Sequence, residues 1–308
     1  GFKIIDAIDN NPYAVETYNL NIGNHARLFD IKKLNPTDIE YADVYIGGIP
    51  CQPFSIGGGQ RGFADKKHGD LGYHFLRLVS AKQPKVFLVE NVRGMASQKH
   101  KEFFDWLLKN LRLAGYNVTW KIIDAYDYGV PQNRERLFIV GVRKDLQQAY
   151  IFPSKSSDRR KLLDAIKDLP DPQDAIKNNI RNHSEYYDGG HSTRYISRNR
   201  QRQWDEPSFT IVSQARQLPL YPEPKNFDIR KRQQDKPPRR FTVRECLRIQ
   251  TVPDDFYFSD NVPLLKQYER CSGIPTKLAY ILGKSIIEQI FEQKSGIRQE
   301  VLGQLMER

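Results

Sequence analysis

The first half of the chain alternates strand-like and helix-like segments, and no other feature constrains the fold more. The strand-like segments are short, apolar and β-branched, whereas the segments between them have helical spacing. In chain order they are 2–8, 11–20, 43–48, 72–81, 85–90, 101–114 and 136–142. Strands separated by helices favour a sheet with both faces covered. We therefore predict an α/β fold with a doubly wound, mostly parallel sheet.

The pattern changes near residue 152, where prolines recur and periodicity is weak until Thr242. Val243–Ile249 and a segment from about 277 to 293 again have helical spacing. The sequence therefore predicts three parts. They are a larger domain over 1–151, a smaller loop-rich domain over 152–262, and a C-terminal helical part over 263–308 that returns to the larger domain.

Composition excludes a membrane-spanning or disulfide-rich secreted protein. Apolar residues make up 39% of the chain, the mean hydropathy is −0.64, and no apolar run approaches the ~20 residues of a membrane helix. The three cysteines, Cys51, Cys246 and Cys271, cannot form a closed disulfide set and contain no C-x-x-C metal pair. A reducing, cytoplasmic setting without a bound metal is expected.

Positive charge is concentrated in the second half. The net charge is +11, and residues 194–244 contain 13 Lys/Arg against 5 Asp/Glu. A solvated basic face is the simpler interpretation, but here the arginines alternate with polar and aromatic residues. That mixture favours contacts to phosphates and bases.

Cys51 follows a strand-like segment and a Gly-Gly break, and it stands between Pro50 and Pro53. Prolines stiffen the backbone, and ligands of α/β sheets bind at the carboxyl ends of strands. The position therefore favours a thiol at a ligand-binding site. For this residue alone, the alternative is a cysteine that only packs against its neighbours.

Further motifs follow Cys51. Glu90 ends a strand-like segment, where a carboxyl can act as a proton donor. Arg134 and Arg136 lie on one face of a strand by period two. Thr242 and Glu245, three residues apart, predict a capping box at a helix start.

Together, in this order, the blocks Pro-Cys-Gln-Pro-Phe-Ser, Glu-Asn-Val and Gln-x-Arg-x-Arg resemble the bacterial cytosine-C5 DNA methyltransferases. The resemblance covers essentially the whole chain and is strongest to the GGCC-specific restriction–modification enzymes. It implies a two-domain enzyme that takes a methyl group from S-adenosylmethionine, leaving S-adenosylhomocysteine. It also implies that the target cytosine is flipped out of the duplex.

The resemblance assigns roles at the reacting base. Cys51 would add to cytosine C6, because covalent catalysis divides one difficult step into two. Glu90 would hold or protonate N3, and Arg136 would contact O2, where charge develops. Arg134 would support the loop and backbone, and Asn91 would brace the Pro-Cys loop.

The resemblance also implies a cofactor pocket. Its residues would be Asp9, Asp30, Ile31, Pro50, Leu71 and Ser272. An acidic residue after a first strand, here Asp9, suits ribose hydroxyls. Two departures predict weak cofactor binding: the family's aromatic-x-Gly-x-Gly turn is not in this sequence, and Ser272 replaces the usual Asn. We expect that turn in a longer natural chain or in a second polypeptide.

Residues 152–238 correspond to the family's variable recognition module, and 197–207 resemble the enzymes that methylate GGCC. Arginine suits bidentate contact with guanine. The predicted DNA-binding residues are Ser55, Arg198, Arg200, Arg202, Arg216 and Arg240.

The leading hypothesis is a monomeric modification methyltransferase acting on double-stranded DNA in the bacterial nucleoid, paired in function with a restriction endonuclease that does not form a stable complex with it. A tRNA cytosine-5 methyltransferase is one alternative. An inactive DNA-binding relative, or a subunit completed in trans, is another.

Overall fold

The computed structural model describes residues 1–48, 71–190, 200–223 and 238–292, and it consists of strands and helices in alternation up to residue 143. The strands are β1 (Ala7–Asp9), β2 (Ala26–Leu28), β3 (Val44–Gly48), β4 (Val86–Val92), β5 (Tyr116–Asp124) and β6 (Glu135–Arg143). The helices are α1 (Pro12–Asn21), α2 (Leu71–Lys82), α3 (Lys101–Leu113), α4 (Leu162–Ile166), α5 (Val243–Ile249), α6 (Leu264–Arg270) and α7 (Thr276–Ile286).

The strands form two sheets. β1 pairs in parallel with β2, and a four-stranded sheet has the order β3-β4-β6-β5. β3 and β4 are parallel, whereas β6 is antiparallel to both β4 and β5. The carboxyl ends of β3 and β4 and the start of β6 therefore meet at one edge of the sheet.

Helices cover both faces of the four-stranded sheet, as the alternation predicts. α2 and α3 pack on one face, where the apolar stripe of α3 buries Phe103, Phe104 and Leu107 against Phe87 and neighbouring residues. On the other face α7 buries Leu278, Leu282 and Ile286. The α/β prediction is confirmed with a mixed sheet where a mostly parallel one was expected, because β6 runs antiparallel to both of its neighbours.

Two strands, β2 and β5, lie outside the predicted segments. β2 has only three residues, too few to show a period. β5 alternates apolar and polar residues along an edge strand, and Trp120 on it is 44% exposed. β1 is shorter than predicted, since residues 1–6 have no ladder partner in the described part of the chain.

Residues from α4 to α6 (162–270), here called the module, pack around a separate apolar core, the module core. Among its buried members are Ile166, Phe241, Leu247 and Tyr268. The predicted capping box is confirmed: Thr242 Oγ1 accepts the Glu245 N–H, and the Glu245 carboxylate accepts the Thr242 N–H at 2.8 Å. α6 packs in the module core and α7 packs on the sheet, so the chain passes between the two units at 271–275.

Regular ladders are scarce among the described residues of the module. Its pairing is by isolated bridges: Gln132 with Ser208, Gln201 with Leu220, and Leu220 with Arg240. Within the described ranges, no helix is long and apolar enough to cross a membrane.

Candidate active site and nucleic-acid surface

The candidate active site lies at the sheet edge where β3, β4 and β6 meet. Gly48, at the end of β3, is the register partner of Glu90 in β4. The chain continues from Gly48 into residues 49–70, which lie outside the described residues; the predicted site residues Pro50, Cys51 and Ser55 are among them. The described side of this edge is formed by β4 and β6.

An ion pair joins β4 to β6 at this edge. Arg136 Nε lies 3.0 Å from Glu90 Oε1, and the two side chains are 15% and 16% exposed. Arg136 is the register partner of Val92, two residues from Glu90 and on the same face. The arrangement holds a carboxyl and a guanidinium side by side with limited access to solvent.

Asn91 and Arg134 are each about 1% exposed. Asn91 Oδ1 accepts the Val92 N–H at 2.8 Å. Arg134 donates to the carbonyl of Ile211 at 2.9 Å and to the carbonyl of Ser272. Its side chain thus connects β6 with the module and with the 271–273 loop, which is a supporting position.

Asp124, at the end of β5, holds the turn into β6, and the sequence analysis did not predict a role for it. Its Oδ1 accepts the Arg134 N–H at 2.8 Å, and its Oδ2 accepts from Asn133 Nδ2 at 3.3 Å. The alternation of apolar and polar residues in β5 is the signal that could have identified Asp124, because this strand ends at that carboxylate.

The predicted cofactor residues Asp9 and Asp30 follow two adjacent parallel strands. Asp9 ends β1 and is exposed, and Asp30 comes two residues after β2. Asp9 accepts the Asn11 N–H at 2.8 Å, and Asp30 accepts the Lys32 N–H at 3.0 Å. These bonds orient both carboxylates at the carboxyl ends of the strands, where they can accept hydrogen bonds from ribose hydroxyls or from an amino group.

The remaining described cofactor residues differ in their surroundings. Leu71, at the start of α2, is partly buried and packs on the core between the sheet and helices α2 and α3. Ile31 packs on a small apolar cluster that contains Leu34. The Ser272 hydroxyl donates to the carbonyl of Glu269 at 3.0 Å. That bond caps the end of α6 and favours a structural role for Ser272.

The predicted DNA-binding arginines fall into two groups. Arg198 lies outside the described residues. Arg240 is 4% exposed and donates to the carbonyls of Tyr187 and Gly190, so its guanidinium is engaged by the protein's own backbone. Arg216, by contrast, is exposed.

Arg200 and Arg202 lie between these extremes, both partly buried beside Phe209. Arg202 lies over the Phe209 ring at 4.1 Å and pairs with Glu206 at 2.7 Å. Arg200 donates to the carbonyl of Gln217 at 3.0 Å. Both guanidiniums are thus oriented by internal contacts. Arg216, whose Nε donates to the Tyr187 hydroxyl at 3.3 Å, is the exposed one of the described candidates.

Known proteins that this sequence resembles are described as methyltransferases. The sequence matches the family described as C-5 cytosine-specific DNA methylase over residues 1–288. It is 40% identical to the Type II methyltransferase M.MthTI of Methanothermobacter thermautotrophicus, over 93% of this chain and 91% of the relative. It is 38% identical to the Type II methyltransferase M.FnuDI of Fusobacterium nucleatum, over 98% and 94%.

Solved structures show the same fold. A prophage-encoded DNA modification methyltransferase of E. coli superposes with a TM-score of 0.70 at 24% identity, over 94% of this chain and 93% of that one. The S. pombe Dnmt2 methyltransferase superposes with a TM-score of 0.66 at 20% identity, over 93% and 91%.

Proposed function

Since the chain belongs to the family of C-5 cytosine-specific DNA methylases, we propose that it methylates a flipped-out cytosine through a covalent bond between Cys51 and C6. The reaction would modify a G/C-rich duplex site, with GGCC as the first candidate, and would protect DNA from a restriction endonuclease. The observation that carries the proposal is the Glu90–Arg136 pair at the strand ends, next to the register position from which the chain leads to Cys51.

The pair suits one edge of cytosine. That edge presents N3, an acceptor that gains a proton as charge builds, beside the O2 acceptor. Glu90 would hold or donate the proton at N3, while Arg136 would donate to O2. The 3.0 Å contact between the two side chains keeps both groups aligned, and preorganised groups are most effective where charge develops in the transition state.

Cys51 would supply the electrons for the methylated carbon. Addition of the Cys51 thiolate to C6 breaks the C5–C6 double bond and shifts that electron pair toward C5, with N3 neutralised at Glu90. After methylation, a base takes the C5 proton, the electrons of that C–H bond restore the C5–C6 double bond, and the thiolate leaves C6. The proton at N3 returns to Glu90, which regenerates the enzyme.

The two other cysteines do not suit this role. Cys246 and Cys271 are buried in the module core, and burial raises the pKa of each thiol well above its usual range. A thiol that stays protonated is a poor nucleophile. This supports Cys51 by elimination, because the chain has three cysteines.

The cofactor would lie across the ends of β1 and β2. S-adenosylmethionine, when bound, supplies an electrophilic methyl group on a sulfonium and becomes S-adenosylhomocysteine. Asp9 would accept from the ribose hydroxyls, and Asp30 would accept from the adenine amino group. Both carboxylates are already oriented by backbone N–H donors, so the residues that are present fit this group.

The test is transfer of labelled methyl groups to matched substrates. The substrates are a duplex with one GGCC site, the same duplex with that site scrambled, and a tRNA transcript, and bisulfite sequencing locates the modified cytosine. We expect labelling at the GGCC duplex, lost in Cys51→Ala and kept in Cys271→Ala. Labelling of the scrambled duplex alone would overturn the GGCC site. Labelling of tRNA alone, or activity retained by Cys51→Ala, would overturn the proposed reaction.

A further inference from the structure

The segment that opens β6 is bound directly to the recognition module. Ser208 donates its N–H to the carbonyl of Pro131 at 2.9 Å, and Asn133 donates its N–H to the carbonyl of Ser208 at 2.9 Å. Thr210 Oγ1 donates to the carbonyl of Asn133 at 2.7 Å. Residues 131–133 therefore lie against 208–210 immediately before the strand that carries Arg136.

A buried amide pair extends this connection. Gln132 and Gln250 are 0% and 2% exposed, and Gln132 Nε2 donates to Gln250 Oε1 at 2.7 Å. Gln132 Oε1 accepts the Ile211 N–H at 2.9 Å. Gln250 Nε2 donates to the carbonyls of Cys271 at 2.6 Å and Gly273 at 3.0 Å. The pair thus links the module, through Ile211, to the loop between α6 and α7.

The orientation of each amide is fixed by its partners. Gln132 must turn its oxygen to the Ile211 N–H, so its nitrogen faces Gln250. Gln250 must turn its nitrogen to two carbonyls, so its oxygen faces Gln132. Only one combination of the two amides satisfies all four bonds.

Arg134 binds the same two segments. It donates to the carbonyl of Ile211 at 2.9 Å and to the carbonyl of Ser272. Gln132 and Arg134 therefore hold the N–H and the C=O of one module residue, Ile211, from positions two apart. Arg136, two residues further along β6, faces Glu90.

We propose that Gln132 and Gln250 are positioning residues that couple the recognition module to Arg136. A correctly engaged module would hold Ile211, and through the amide pair it would hold the start of β6 in register with β4. The inference rests on the proposed function, in which the module binds DNA and Arg136 contacts the target base. It goes beyond that function by naming the path through which site recognition reaches the reacting groups.

The test compares Gln250→Met with a matched control, Gln267→Met. Gln267 is also buried in the module, at 6% exposure, and it donates to the carbonyl of Val262 at 2.8 Å, but it makes no contact with Gln132. Methionine keeps the length of glutamine and removes its hydrogen bonds. We expect Gln250→Met to lower kcat roughly 10- to 100-fold, as small misplacements of reacting groups do, with Kd for DNA within about threefold of the wild-type value. Gln267→Met should leave kcat unchanged.

The double variant Gln132→Met/Gln250→Met tests whether the two amides act along one path. Because the Ile211 N–H and the carbonyls of Cys271 and Gly273 lose their partners, the melting temperature of every variant is measured alongside to separate a loss of kcat from a failure to fold. The kcat of the double variant should fall no further than that of the single variants, which is the sign of one shared path. Equal losses of kcat in Gln250→Met and Gln267→Met would overturn the proposal, as would an unchanged kcat or a loss confined to Kd. A wild-type protein without methyl transfer would instead overturn the proposed function.

Discussion

The sheet edge and the recognition module use charged residues in opposite ways. At the sheet edge, Glu90 and Arg136 pair with each other and are both partly exposed. In the module, Arg240 and Arg244 are buried, at 4% and 1% exposure, and their guanidiniums donate to backbone carbonyls. These two buried arginines therefore stabilise the module itself, and a count of positive charges alone does not measure the charge that a ligand could reach.

The module needs these contacts because few ladders satisfy the backbone in the part of it that the structure describes. Buried carbonyls require donors, and arginine supplies up to five. Cation–aromatic contacts contribute as well: Lys167 lies 4.1 Å from the Trp204 ring centre, and Arg239 lies 3.9 Å from that of Tyr221. The sheet, by comparison, relies on regular pairing and aliphatic packing.

The largest expected effect concerns Glu90. Glu90→Gln removes the ionisable proton while keeping the shape, and positioned acid–base groups contribute about 10²- to 10⁴-fold. We expect kcat to fall by that factor, with an unchanged melting temperature. Glu135→Gln is the matched control, because Glu135 lies on the same edge, is 44% exposed and pairs with Arg93. Steady-state methylation assays check both; equal losses would remove the distinction between the two carboxyls.

Next in size is the loss of Arg244. Its guanidinium donates to the carbonyls of Arg181 and Phe256 at 3.1 and 2.7 Å, and burial lowers its pKa. Arg244→Met strands these carbonyls, so the free energy of unfolding should fall by about 2–4 kcal/mol. Urea denaturation measures this. A variant as stable as the wild type would show that the module's buried arginines are dispensable.

A smaller effect is expected at Arg216, the exposed member of the comparison. Arg216→Ala should leave urea stability within about 0.5 kcal/mol and weaken binding to the cognate duplex by about 1–3 kcal/mol. Fluorescence anisotropy at several salt concentrations provides the measurement. Unchanged affinity would mean that the exposed arginine does not face DNA.

The fold is better predicted by the sequence than the site. The strand–helix alternation and the Thr242–Glu245 capping box are local patterns, and both are confirmed. The direction of β6 and the Glu90–Arg136 pair depend on strand pairing between distant segments. The Gln132–Gln250 pair joins residues 118 apart, and neither residue has a local signal of its partner.

The smallest effect is the dependence of module stability on pH. The hydrogen bond from Arg248 lowers the pKa of Asp254 below the ordinary aspartate value of 3.8. A pKa lowered by folding stabilises the native state above that ordinary value, and the contribution is lost as the pH falls through the folded pKa. Urea midpoints should therefore decrease below about pH 4, and less steeply in Asp254→Asn. Identical slopes in the two proteins would contradict this.

Covalent trapping tests the central claim most directly. The protein is incubated with S-adenosylmethionine and a GGCC duplex that carries 5-fluorocytosine at the target position, and the products are separated on a denaturing gel. Fluorine cannot leave C5 as a proton does, so the thioether to C6 should persist. We predict a shifted band with the wild-type protein and with Cys246→Ala, and none with Cys51→Ala. Methylation of ordinary cytosine without any shifted band, or a shifted band in Cys51→Ala, would contradict the assignment of Cys51 as the nucleophile.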